Sequence, residues 1–543
     1  MKKTIAGNWI DIENRAIKSG YFTLHEGRIE SFTEAPTNEN RFILPGFTDA
    51  HIHIESSMLV PYEFARIALG HGTVATISDP HEIANVCGVK GVHYMLQNAL
   101  DAKLKFHFGA PSCVPATNFE SAGAVLGPEE VLALLQRDDI YYLSEMMNYP
   151  GVLFNDPDVM KKIEYAKQCN KPVDGHAPGL RGEDAAKYIA AGITTDHECF
   201  TLEEALDKIQ HGMKILIREG SAARNFNALH PLLKSHPEMC MFCCDDKHPD
   251  ELLAGHINIH VAKAIALGYD LYDVLHAACI HPKLHYQMRQ GILRPGDPAD
   301  FIIVDNTADF KVLETWIDGE CVYQDGICSL PPKKHPLINQ FKAYHVSPDD
   351  FALKATGTTL RVIEVYDGQL ITGEYHQPAK TENGNCVSDP THDILKIAVV
   401  NRYQKEKPAV AFIRNFGLKR GAIASSVAHD SHNIIVVGAD DESIARAANL
   451  LMQHEGGLSL VDGAEEICIG LPVAGLMSDK DCQTIGHAYA AIDEKAKQLG
   501  SSLRAPYMSL SFMALLVIPQ LKLSDKGLFD GKTFRFASNF VES

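Results

Sequence analysis

The chain has 543 residues, 45% apolar and 22% charged; this ordinary globular composition excludes disordered and collagen-like classes, and the length is roughly three to four times the ~150 residues of one domain. Lys and Arg number 50 against 69 Asp and Glu, a formal charge of −19, so polyanions are repelled and nucleic acid is excluded as a partner. No apolar run reaches the ~18 to 20 residues that span a bilayer, the opening Met1-Lys2-Lys3-Thr4-Ile5-Ala6 has no secretory h-region, and 13 Cys with adjacent Cys243-Cys244 and no paired zinc-ribbon motif read as reduced thiols, which predicts a cytoplasmic protein with no membrane contact.

Residues 1–45, with the turn His25-Glu26-Gly27-Arg28, read as short β segments. Eight short apolar runs follow, at 47–54, 73–78, 105–110, 140–145, 172–176, 193–197, 213–218 and 239–244. Most are separated by segments long enough for a crossover helix, which predicts an α/β fold closed into a (β/α)8 barrel. In such a barrel the chemistry sits at the C-terminal strand ends. Here those ends fall at or beside His51 and His53, Asp79, Ser112, Glu145, His176, His197, Arg218 and Asp245. Residues 299–323, with the hairpin turn Asp318-Gly319, return to β character and are expected to join the N-terminal segments in a small β-sandwich domain. Pro331-Pro332-Lys333-Lys334 reads as a linker to a C-terminal α+β domain, strand-like at 433–438 and helix-like at 443–453. The expected division is 1–45 with 290–330 for the small β domain, 46–289 for the barrel and 335–543 for the C-terminal domain.

His51-Ile52-His53 ends the first apolar run, and a period of two sends both imidazoles to one face of a strand. With His176, His197 and Asp245 at later strand ends, four imidazoles and a carboxylate converge on one rim. Such a set suits Zn²⁺, Fe²⁺ or Mn²⁺.

Several blocks are similar to the bacterial adenine deaminase family of amidohydrolases. They are Pro45-Gly46-Phe47-Thr48-Asp49-Ala50-His51-Ile52-His53-Ile54-Glu55-Ser56-Ser57, Asp79-Pro80-His81-Glu82-Ile83-Ala84-Asn85-Val86 and Cys243-Cys244-Asp245-Asp246-Lys247-His248-Pro249. Ser112-Cys113-Val114-Pro115, Gly255-His256-Ile257-Asn258, Ala428-His429-Asp430-Ser431-His432-Asn433 and Leu471-Pro472-Val473-Ala474-Gly475 resemble the same family. The resemblance spans nearly the whole chain and implies hydrolysis of adenine to hypoxanthine and ammonia, a small purine as partner, and a homodimer or larger homo-oligomer.

It also implies two divalent ions, Mn²⁺ or Fe²⁺ with Zn²⁺ as an option, and an anionic bridge between them. The fourth strand ends Leu143-Ser144-Glu145-Met146 without a lysine, so Glu145 is the expected bridge. His51 and His53 with Asp245 are expected on one ion and His176 with His197 on the other. Asp245 is expected to act as general base and then acid, with Asp246 turned away from the axis. Glu82, Glu55 and His81 are the candidates for protonating the ring, with His81-Glu82 equally readable as a pair that orients metal ligands. Ser112, Cys113, Arg218 and Asn258 are the expected purine-pocket residues. The polar stretch around His429 to Asn433 is expected to form a lid over the barrel mouth. The same metals serve cyclic-amide hydrolysis and deacetylation, and a non-catalytic barrel scaffold is the remaining reading.

Overall fold

Strands of a closed parallel barrel are covered on both faces, and Phe47–His53 and Thr73–Ser78 are accordingly buried throughout, polar Thr48, Asp49, His51 and His53 included. The computed structural model describes residues 2–221 and 223–541. Parallel ladders run from Phe47–His53 to Thr73–Ser78, Lys105–Ala110, Ile140–Met146 and Val173–Gly175. A parallel bridge from Val173 to Ile193 continues the ring to Thr195–Asp196, Lys214–Arg218 and Cys240–Cys243. The last strand resumes as Asp245–Asp246, and Asp245 and Asp246 pair with Ile52 and His53 of the first. The barrel therefore closes at the histidine motif. Crossover helices start where local chemistry permits: Asp156 accepts from the N–H groups of Asp158 and Val159 ahead of Pro157–Gln168, and Thr201 caps Leu202–Gln210.

The two β flanks join in one eight-stranded sheet, whose seam is the antiparallel pairing of Phe301–Val304 with Phe42–Pro45. It carries its own core of Phe22, Leu24, Ile29, Ile43, Phe301 and Trp316. Residues separated by the whole barrel thus meet in one ladder.

The C-terminal region is built on a second eight-stranded sheet, with the helix Asp441–Gln453 against one face. Alternation along Ile434–Gly438 sends Ile434 and Val436 to that helix, while Ile435 and Val437 join the large core shared with the barrel. That shared core also holds Ile397, Val399, Ile413, Leu458 and Leu510, so the C-terminal half is packed onto the barrel through continuous apolar contact. The Ser478 N–H donates to Met58 O at 2.8 Å beside the first strand's end, fixing the same junction. Among the described residues no helix is long and apolar enough to cross a membrane.

A candidate metal centre and its closed cavity

The six side chains expected to bind metal meet at the C-terminal rim, and all are buried. His51 Nε2 and His53 Nε2 lie 3.1 Å apart. His53 Nε2 is 3.3 Å from both Glu145 Oε1 and Asp245 Oδ1. On the other side Glu145 Oε2 is 2.7 Å from His176 Nδ1 and 3.1 Å from His197 Nε2. The rings of His51 and His197 stack at 4.1 Å. Glu145 thus has one oxygen toward each pair of imidazoles.

The electrostatics follow from this crowding. Burial alone would push the Glu145 carboxyl up, but His176, His197 and His53 hold it well below the usual carboxylate range. Burial together with His197 and His53 keeps His51 well below an ordinary histidine. His53 goes the other way: burial opposes its charge, and Glu145 overcomes burial and raises it well above. His176 Nε2 is buried without a hydrogen-bond partner, and His197 Nε2 faces the Glu145, Glu198 and Asp245 carboxylates. His51, His53 and Asp245 bring ligand atoms within 4.8 Å of one another, as do His51, Glu145 and His197. Nitrogen and carboxylate lone pairs facing a common volume, some of them orphaned, are what a divalent cation satisfies.

A cavity of about 20 Å³ opens from this cluster. That is room for about one water, so a heterocycle enters only as the lining side chains part. Glu82, Asp246 and Glu198 line it from the barrel, while Leu370, His429, Asp430, Phe512 and Leu515 line it from the C-terminal half. The expectation of a lid around His429 agrees with this placement. Glu82 Oε1 is 3.1 Å from His429 Nδ1. His81 also reaches the cavity, with Nδ1 3.2 Å from Asp79 Oδ2 and Nε2 3.7 Å from Asp430 Oδ1. Glu55 lies behind; burial and neighbouring Glu82 push it up to about 8, so it holds a proton at neutral pH.

Several expected placements are corrected by the packing. Asp246 is not turned away: Asp245 adopts φ 57°, in the left-handed region, so the two-residue alternation breaks there and both carboxylates line the cavity. Ser56 Oγ donates to Asp246 Oδ1 at 2.5 Å. Ser112 and Cys113 are not cavity residues. Ser112 Oγ donates to the carbonyl of Glu145 at 2.5 Å, bracing the fourth strand, and the Cys113 thiol packs against Met146 Sδ. Asn258 Oδ1 accepts from the His256 N–H at 2.8 Å at a helix start, away from the cavity. Arg218 is fully buried and committed to carboxylates, donating to Glu198 Oε1 at 2.5 Å and to Asp245 Oδ2. It holds Asp245 and is not among the residues that line the cavity.

Glu198 was missed, although it directly follows His197. Its Oε1 lies 3.7 Å from His176 Nδ1 and 3.6 Å from His197 Nε2, and the Arg218 charge outweighs burial to keep its carboxyl low. Leu370, Phe512 and Leu515 carry no chemical signal in the sequence; only the packing of the two halves brings them here.

Residues 42–322 match the amidohydrolase family and residues 369–535 match the adenine deaminase C-terminal domain. The chain is 52% identical to an adenine deaminase of Salinibacter ruber over 541 residues, covering 99% of each chain. It is 53% identical to one of Sulfurovum sp. over 538 residues, covering 97% of this chain and 98% of the relative, and 52% identical to one of Methanosarcina acetivorans over the full length of both. With matches of that extent running through both the buried histidine–carboxylate cluster and the half that closes over it, the chain belongs to the adenine deaminase family of amidohydrolases.

Proposed function

We propose that this protein hydrolyses adenine to hypoxanthine and ammonia. The observation that carries the reading is full-length similarity to adenine deaminases, including the C-terminal half that lines the cavity. Cyclic-amide hydrolysis, deacetylation and a scaffold role gain no support from a C-terminal half of this family or from a complete, buried ligand set.

In this reading His51, His53 and Asp245 would hold one divalent ion and His176 and His197 a second, with Glu145 available to both; the nitrogen and oxygen donors suit Mn²⁺ or Fe²⁺, with Zn²⁺ also compatible. When bound, such ions lower the pKa of water from 15.7 toward ~7 and stabilise negative charge that develops in the transition state. Asp245, held by Arg218, takes a proton from the attacking water and returns it to the departing amine. Glu82 passes to the ring nitrogen next to C6 the proton it receives from His429 Nδ1, 3.1 Å away, which leaves the hydrogen on His429 Nε2 in place. Met147, Leu370, Phe512 and Leu515 exclude bulk water, which strengthens each of these interactions. All 13 cysteines are unpaired, consistent with a reducing cytoplasm.

The test is ammonia release and the ultraviolet change with metal-loaded protein on adenine, adenosine, dihydropyrimidines and N-acetyl sugars. Adenine should be the preferred substrate. Faster turnover of any other would overturn the assignment.

A further inference from the structure

One wall of the cavity carries two polar atoms that neither the ligand cluster nor the proposed proton transfers use. His429 stacks on Phe512, with centroids 4.4 Å apart and 9° between planes, and its Nδ1 faces Glu82 Oε1 at 3.1 Å. Its Nε2 has no hydrogen-bond partner. The next residue, Asp430, turns Oδ1 toward His81 Nε2 at 3.7 Å and leaves Oδ2 without a partner. Both residues are 2% exposed and both line the cavity. A buried polar atom left unpaired is costly, so one on each of two consecutive residues that line the cavity calls for a ligand that pairs both.

Their chemistry is complementary. Burial opposes a charge on His429, but Glu82 and Asp246 outweigh it and push the imidazole up to about 9, so at neutral pH Nε2 bears a hydrogen and donates. Asp430 Oδ2 accepts. A donor beside an acceptor, next to an aromatic plane and apolar Leu370 and Leu515, matches a flat heterocycle that offers an acceptor beside a donor on one edge. The free purine base has that edge: N3 accepts and N9–H donates. In a nucleoside the N9–H is replaced by a glycosidic bond, so the donor is gone.

We infer that His429 and Asp430 grip the N3 and N9–H edge of the purine, and that Asp430 selects the free base over nucleosides. This rests on the adenine reading above. The C-terminal half is then a specificity element as well as a cover.

The experiment compares adenine with 9-methyladenine, which lacks N9–H, and with 3-deazaadenine, which lacks N3, in full-length metal-loaded protein. Calorimetric binding of hypoxanthine and 9-methylhypoxanthine gives a readout independent of turnover. Wild type should prefer each parent base by at least ~10-fold, since a site built to hydrogen-bond a group rejects analogues that lack it. Asp430→Ala should raise KM for adenine more than it lowers kcat, and should collapse the adenine to 9-methyladenine ratio at least ~10-fold. His429→Gln should collapse the 3-deazaadenine ratio instead. Equal binding of hypoxanthine and 9-methylhypoxanthine by wild type overturns the inference without any variant, as does a uniform loss in Asp430→Ala that leaves the ratio unchanged. Absence of adenine turnover in wild type would instead defeat the functional reading on which the inference stands.

Discussion

Asp49 accepts the Cys244 N–H at 3.0 Å through the same Oδ1 that takes the His51 N–H at 3.3 Å. One carboxylate therefore ties the first barrel strand to the last, next to His51 on one side and Asp245 on the other. Its second oxygen is 2.8 Å from His256 Nε2, and His256 Nδ1 pairs with Thr73 Oγ1 at 2.6 Å. Asp49 is thus a positioning residue for ligands on two strands. Asp49→Ala should weaken metal retention by ~10 to 100-fold, the usual cost of losing an outer partner. Elemental analysis after dialysis against graded chelator measures it; unchanged retention would confine Asp49 to barrel closure.

Glu145→Gln removes the only side chain among the described residues that approaches His53, His176 and His197 together. It should cost more than Asp49→Ala, because the lost negative charge offsets that of both expected ions. Metal content should fall to one ion per chain or fewer, with circular dichroism unchanged. Two ions retained at wild-type affinity would remove Glu145 from the bridging position.

Asp245→Asn should lower kcat at least ~10²-fold, the scale of a lost proton transfer. Asp246→Asn should do less, although Asp246 also lines the cavity. Its carboxyl, which burial alone would raise, is held low by His429 and His53 and is braced by Ser56, so it shapes charge around the site. Steady-state kinetics on adenine rank the two, and the reverse order would transfer the proton role to Asp246.

Lys522 is fully buried and donates to the carbonyls of Leu370 at 2.6 Å and Phe512 at 2.9 Å, tying together two segments of the lid. Burial pushes its amine down to about 7. Between 7 and the unfolded value of about 10.5 the unfolded chain binds a proton that the folded chain does not. Its contribution to stability is therefore full above about 10.5, declines as pH falls, and is gone below about 7. Urea unfolding at pH 6.5 and 9.5 should show wild type gaining stability at the higher pH, by several kcal/mol relative to Lys522→Met. Parallel behaviour of the two proteins would show that Lys522 does not titrate in this range.

The period of two along Phe47–His53 puts His51 and His53 on one face, and the repeated apolar run with a polar end locates His176, His197 and Glu145 at strand ends. These are local facts: a strand's geometry sets which side chains share a face, and barrel closure places all such ends on one rim. Assignments that needed contacts distant in the chain went differently. Asp246 faces inward because the backbone at Asp245 leaves the extended region as the last strand joins the first. Arg218 is held by Glu198 and Asp245, Ser112 by the Glu145 carbonyl, and Asn258 by a helix start, none of which spacing along the chain reveals. Phe512 and His429 became cavity walls because the alternating face of Ile435 and Val437 packs into the barrel's own core. The sequence by itself determined the barrel rhythm and the rim that carries the ligands; the tertiary structure alone decided which C-terminal side chains close that rim, because burial of a shared apolar core, with no local preference to guide it, sets how the two halves meet.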